Sequence, residues 1–277
     1  PDMWCDWMPM YGSGCGPEHS VADACCYTLD VDLSCIAVGR PLTIKGSARL
    51  ASVCQSSQWN KRIKADPYSL TPEQREILVQ GWLKAAQEEH ASVASFARFT
   101  MELMALGAPP ELLLSATRAQ ADEIAHARSC FATASQIAGS DFGPGPLDIR
   151  GALPESTTFE QVLVMTIVEG CINETLAAAE AAWLSDQTEI ASIQKTHGQI
   201  AKDEAKHAAL GWKTVEWILS VKPELTSVAT TAFEQAKGLI KELEQEEQDD
   251  SWKANWGQMP SRQGNQLRID TWNNVIA

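Results

Sequence analysis

Two short runs, one in each half of the chain, pair a carboxylate with an imidazole at the same spacing: Glu123-Ile-Ala-His126 and Glu204-Ala-Lys-His207. Each is preceded by an aspartate (Asp122, Asp203) and followed by an alanine (Ala127, Ala208). Nearly the same offset carries Glu89 onto Glu169, so the candidate ligands Glu89, Glu123, His126, Glu169, Glu204 and His207 form two sets of three. Residues three apart lie on one face of a helix. Carboxylates and imidazoles together suit divalent transition metals such as iron or manganese. Four carboxylates buried without a cation would be very costly, and two divalent ions remove that cost.

The elements that must position these groups read as helices. One runs from a capping signal, Thr71-Pro-Glu-Gln74, to about Leu106, where Gly107-Ala-Pro-Pro110 breaks it. A second spans about 110–138, a third about 158–184 and a fourth about 186–221, with a charged fifth from 223 to 247. The first and second, and the third and fourth, are joined by short loops, while a long Gly/Pro-rich segment separates the two hairpins. That pattern predicts a mainly α fold, a four-helix bundle with one long crossover. The expected division is a cysteine-rich module at 1–70, the bundle at 71–222, and an extra helix with an irregular tail at 223–277 packed on the bundle.

Apolar seams through the ligands support this register. Leu78, Trp82, Ala85, Glu89, Val93 and Phe96 fall on one face, as do Ile193, His197, Ile200, Glu204, His207 and Gly211. The second helix gives Leu112, Ala116, Ala119, Glu123, His126 and Cys130, and the third Val162, Met165, Glu169, Asn173 and Leu176. With the last interhelical turn taken at Asp186, Glu204 and Glu169 lie at almost equal depth on either side of it. Glu174 is more than a helical turn shallower and about 140° away from Glu169 around a regular helix, which favours Glu169 as ligand. Glu88 and His90 fall off the first seam. Asp122 and Asp203 can each accept the outer ring N–H of the histidine on the other hairpin. His197 and Asn173 share ligand faces and are further candidates for supporting contacts.

The chain has 277 residues and a net charge of −14, which disfavours nucleic acid as a partner. No uninterrupted apolar run reaches the ~18 residues that would span a bilayer, so no transmembrane span is expected. Six of eight cysteines (Cys5, Cys15, Cys25, Cys26, Cys35 and Cys54) crowd the N-terminal segment that ends at Cys54, without a paired C-x-x-C spacing. They read as a disulfide framework and hence an extracytoplasmic setting. The acidic run from Glu242 to Asp250 reads as a solvated helix face.

At the Glu-x-x-His pairs, and at Glu89-His-Ala-Ser and Glu169-Gly-Cys-Ile-Asn-Glu174, the chain resembles the ferritin-like superfamily. The match is to its di-iron carboxylate members and to secreted bacterial ferritin-like proteins, over about residues 72–221. The resemblance implies terminal roles for Glu89 and Glu169, bridging roles for Glu123 and Glu204, and one histidine per metal. It departs from rubrerythrins in lacking rubredoxin-type C-x-x-C pairs. All three tyrosines (Tyr11, Tyr27, Tyr68) precede the bundle, unlike the radical tyrosine of ribonucleotide reductase subunits. The expected cofactor is two metal ions, iron first, with manganese or a mixed pair as alternatives. The expected function is oxidation of a small-molecule substrate with O2 or a peroxide, with an external electron donor as a further partner. The alternative is non-enzymatic iron or manganese binding, or ferroxidation, outside the cytoplasm.

Overall fold

The computed structural model describes residues 19–21, 24–27, 40–44, 46–59, 70–154, 156–241 and 250–276, with backbone alone for 19–21, 24–27 and 238–241. The fold is mainly helical, in keeping with a helical bundle. Helix α1 (Pro72–Ala105) starts at a capping box: Gln74 N–H donates to Thr71 Oγ1, and Thr71 N–H donates back to Gln74 Oε1. It ends where Gly107 takes a φ of 73° ahead of two prolines. Pro110 then opens α2 (Pro110–Ala138), which Gly139 closes in the left-handed conformation at φ 76°. A second capping box, Thr158 with Gln161, starts α3 (Phe159–Met165). This helix continues through a π segment (Thr166–Asn173) into α4 (Glu174–Gln187), and α5 (Ala191–Val221) returns antiparallel to it.

The α4–α5 connection is therefore Thr188–Ile190, a few residues later than the turn expected at Asp186. The fifth helix begins with a 3-10 turn (Pro223–Leu225) and becomes α6 (Thr226–Lys241). Trp212 of α5 stacks on Phe233 of α6 at 5.5 Å and 10°. Residues 242–249, most of the acidic run, lie outside the described residues. The tail is more regular than expected: a 3-10 helix (Ser251–Trp256), α7 (Ser261–Thr271) and a π turn (Trp272–Ile276). It packs on the bundle through buried Trp256 and Trp272 and half-buried Trp252.

The N-terminal strands β1 (His19–Val21), β2 (Ala24–Tyr27) and β5 (Val53–Gln55) form an antiparallel sheet. The crossover between α2 and α3 is not all loop, because it supplies β6 (Phe142–Pro144), which pairs with β5. A short hairpin, β3 (Thr43–Ile44) paired with β4 (Ser47–Ala48), turns through Gly46. Cys54 is disulfide-bonded; Cys5, Cys15 and Cys35 lie outside the described residues, and Cys25 and Cys26 within the backbone-only strand β2. The cysteine framework as a whole is therefore outside the described side chains.

Two apolar clusters fill the bundle. One gathers Phe96, Phe99, Leu112, Ile167, Leu210 and Ile218; the other Leu78, Trp82, Phe131, Ile137, Ile193 and Trp256. On α1, α2 and α5 the predicted ligands fall between them in sequence, so a polar layer is held between two hydrophobic ends. By length and composition, Phe159–Gln187 is apolar enough to cross a membrane, with mean hydropathy 1.5 over its best window. A count of unbroken apolar residues misses this because Glu169 and Glu174 interrupt the run. Here it is a core helix, 56% buried over that window.

Candidate metal centre

Helices α1, α2, α4 and α5 each send acidic or imidazole groups into the layer between the clusters. Ligand atoms of Glu89, Glu123, His126 and Glu204 lie within 4.8 Å of one another, and so do those of Glu123, Glu174, Glu204 and His207. The two groups share Glu123 and Glu204. All six side chains are buried, and Glu89, Glu123, Glu174 and Glu204 have no exposed surface. Of the six residues expected from the sequence, five are brought together: Glu89, Glu123, His126, Glu204 and His207.

Glu169 is the correction. Its carboxylate accepts from Arg40 Nη2 at 3.2 Å, from Arg98 Nη2 at 3.1 Å and from Thr43 Oγ1 at 2.8 Å. It belongs to a buried ion network, with Arg98 Nε also 3.7 Å from Glu102. Arg40 lies over the rings of Phe96 and Phe99, which ties the N-terminal segment to the bundle. Glu174, set aside on regular-helix geometry, takes the place in the cluster. Two local facts account for the exchange. The π segment bonds i to i+5 and so turns less per residue than an α-helix, which brings Glu174 closer to the face of Glu169 than a regular helix would. With Glu189 at the centre of the turn, Glu174 and Glu204 lie equally deep on either side of it.

The imidazoles are held crosswise. His126 Nε2 is 3.3 Å from Asp203 Oδ2, and His207 Nε2 is 3.4 Å from Asp122 Oδ2, each aspartate on the opposite hairpin. Asp203 is fixed in turn by Gln199 Nε2 and Lys206 Nζ at 2.8 and 2.7 Å. Both Nδ1 atoms therefore face inward: His126 Nδ1 is 3.4 Å from Glu89 and 3.3 Å from Glu204, and His207 Nδ1 is 3.2 Å from Glu123 and 3.1 Å from Glu204. This is the arrangement in which an outer acceptor fixes the tautomer of a ligating histidine.

Electrostatics state the same crowding. Burial, then the charges of Glu204 and Glu89, pushes Glu123 well above the usual carboxylate range. Burial and the charge of Glu204 do the same to Glu174. Burial also works to raise Glu204, yet its interactions with Glu174 and the two imidazoles hold it below that range. For His126 burial is opposed and outweighed by Asp203, Glu204 and Glu89, so its affinity for a proton rises well above normal. His207 is raised in the same way, chiefly by Glu204 against burial. Among the described residues no hydrogen bond reaches either oxygen of Glu89, Glu123 or Glu174, Oε1 of Glu204, or Nδ1 of His126. Buried polar atoms are almost always partnered. These inward atoms are the donor types a hard or borderline cation takes, so the residues fit a metal.

The remaining candidates lie outside the cluster. His197 Nε2 donates to the carbonyl of Gly257 at 2.9 Å, and its ring sits 5.3 Å from Trp82. Asn173 is half-buried at the end of the π segment and belongs to neither ligand group. His90 packs edge-on against Trp59 at 5.5 Å. Cys130 and Cys171 are buried free thiols, and burial pushes Cys171 up to about 12.

A cavity of about 220 Å³ opens beside the cluster and shares Glu89 with it. No family model, curated protein or solved structure matches the chain. The functional reading therefore rests on the site itself, whose buried Glu/His groups could hold a metal ion.

Proposed function

We propose that the chain is a dinuclear metal oxidoreductase that uses O2 or a peroxide to oxidise a small molecule. Two metal ions, iron in the first instance, would be held by Glu89, Glu123, His126, Glu174, Glu204 and His207. Glu123 and Glu204 belong to both ligand groups and would bridge. The supporting observation is the set of inward carboxylate oxygens without hydrogen bonds in a layer closed by apolar clusters at both ends. When bound, such a pair supplies one- and two-electron redox chemistry and a Lewis acid.

The chain's own groups would do the rest. Asp203 and Asp122 hold the imidazoles with Nδ1 inward. The apolar clusters keep bulk water from the layer. The cavity at Glu89 gives a substrate a place to approach, which supports the enzymatic reading over metal binding alone. An extracytoplasmic location belongs to the same proposal, supported by the six cysteines crowded between Cys5 and Cys54.

Metal analysis of protein purified without chelators tests the reading. Near two iron or manganese per chain is expected, with Glu123→Ala and Glu204→Ala each losing most of it. Full loading of either variant, or a wild type that stays metal-free after anaerobic reloading, would overturn it.

A further inference from the structure

The cleft beside Glu89 has a chemistry of its own. Its floor is buried: Trp82, Glu89, Cys130, Ala181, His197 and Ile200, while its rim, with Gly81, Ala85, Gln258 and Met259, is half-buried. It therefore runs from the surface down to a cluster carboxylate. Of the six clustered residues only Glu89 lines it, so the cleft approaches the Glu89–His126 half of the site. The C-terminal segment closes the other side. Trp82 Nε1 donates to the carbonyl of Trp256 at 2.9 Å, and Gln258 Nε2 to that of Leu78 at 2.5 Å.

The walls are largely apolar, and most of their polar groups are engaged. Glu180 accepts from Arg268 Nε at 2.7 Å, and Lys84 and Glu88 have interactions of their own. His197 differs. A carbonyl oxygen only accepts, so the contact with Gly257 puts the ring proton on Nε2. Burial draws the group down to about 4, so the ring is neutral near pH 7 and Nδ1 carries a lone pair. Among the described residues the hydrogen bond of His197 is the one at Nε2. An apolar cavity of about 150 Å³ is known to take benzene. A volume of about 220 Å³ admits one ring with a short substituent.

We propose that this cleft binds a small, largely apolar molecule carrying one hydrogen-bond donor, a phenol or comparable alcohol, seated beside Trp82 and donating to His197 Nδ1, and that this is the substrate class presented to the Glu89 side of the centre. The second half of that statement rests on the dinuclear reading; the binding site itself does not.

Phenol and toluene, equal in size and different in the donor, are the probes. Their binding to the full chain is measured by ligand-observed NMR and calorimetry, with metal content determined on the same samples. Phenol is expected to bind in the millimolar range or tighter, and about three- to tenfold better than toluene, the worth of one hydrogen bond. His197→Phe removes the acceptor and is expected to erase that preference while toluene still binds. Ala181→Leu fills the cleft and is expected to abolish both, with metal content and circular dichroism unchanged. Ala85→Leu serves the same purpose from α1 if the first variant folds poorly. Equal affinity for the two probes, or phenol binding undiminished in a folded filled variant, overturns the proposal. Two metals without probe binding defeats the cleft alone, whereas probe binding to a chain that takes no metal defeats the dinuclear reading and leaves the cleft standing.

Discussion

Glu169 and Glu174 differ in what their neighbours supply, and that difference decides their roles. Two guanidinium groups and a hydroxyl satisfy Glu169, whereas Glu174 meets carboxylates and His207 and has no hydrogen bond to either oxygen. Glu169→Ala is expected to keep near two metals per chain but to lose about 3–5 kcal/mol of stability, since it strands buried Arg40 and Arg98. Glu174→Ala is expected to lower metal content. Paired metal analysis and denaturant titration check both, and the reverse pattern would restore Glu169 to the centre. His197 makes a pH prediction at the same scale. Burial holds its folded value near 4, below the ordinary 6.5, so the unfolded chain binds more protons between those values. Stability contributed by the neutral ring is therefore present above about pH 6.5 and is lost as pH falls toward 4. The difference amounts to about 3 kcal/mol at most. In thermal melts between pH 7 and 4.5, His197→Phe should show a shallower decline than the wild type; parallel curves would contradict this.

Among elements, the π segment is the one that decides which glutamate joins the Glu/His cluster. At its level α5 comes so close that a Cβ on Gly211 would lie 2.6 Å from the carbonyl carbon of Gly170 and 2.9 Å from Cys171 N. Backbone cannot rotate away as a side chain can. Gly211→Ala is thus expected to part the two helices, cost about 1–3 kcal/mol and draw Glu174 away from Glu204, lowering metal content toward one per chain. Gly198→Ala on the same helix is the control, because its Cβ would meet only the Ser185 hydroxyl, at 3.1 Å. Equal metal content in the two variants would remove the π segment from the argument. This element also marks where sequence reading ran out. The capping box at Thr71, the Gly and Pro breaks, and the Glu-x-x-His repeat were legible because each rests on local chemistry. The crosswise Asp–His contacts followed from the repeat and the antiparallel hairpins. A π segment has no comparable signature. Its wide turn, with a connection centred at Glu189 rather than Asp186, places Glu174 rather than Glu169 in the Glu/His cluster. Arg40 and Arg98 were missed because their role exists only once the N-terminal segment docks.

At the scale of the whole molecule, the polar layer is closed by elements far apart in sequence. The N-terminal segment is pinned through Arg40, and the C-terminal segment reaches the other apolar cluster through Trp256, Gly257 and Gln258. Between α4 and α7 a single buried ion pair, Glu180 with Arg268, fastens that second closure, and Glu180 also lines the cleft. Burial raises the proton affinity of Glu180 against the attraction of Arg268, so the pair sits where an unpaired carboxylate is costly. Arg268→Leu should therefore destabilise the fold by about 3–5 kcal/mol, because it leaves Glu180 buried without its partner. Replacing both with leucine should recover much of that loss, since two apolar side chains of similar bulk leave no charge to desolvate. Denaturant unfolding of the two single variants and the double variant measures the coupling. A clearly non-additive cycle would show that the tail is locked to the bundle at this pair. Additive losses would mean that the tryptophan and backbone contacts alone hold it, and that the cleft wall stays in place without the ion pair.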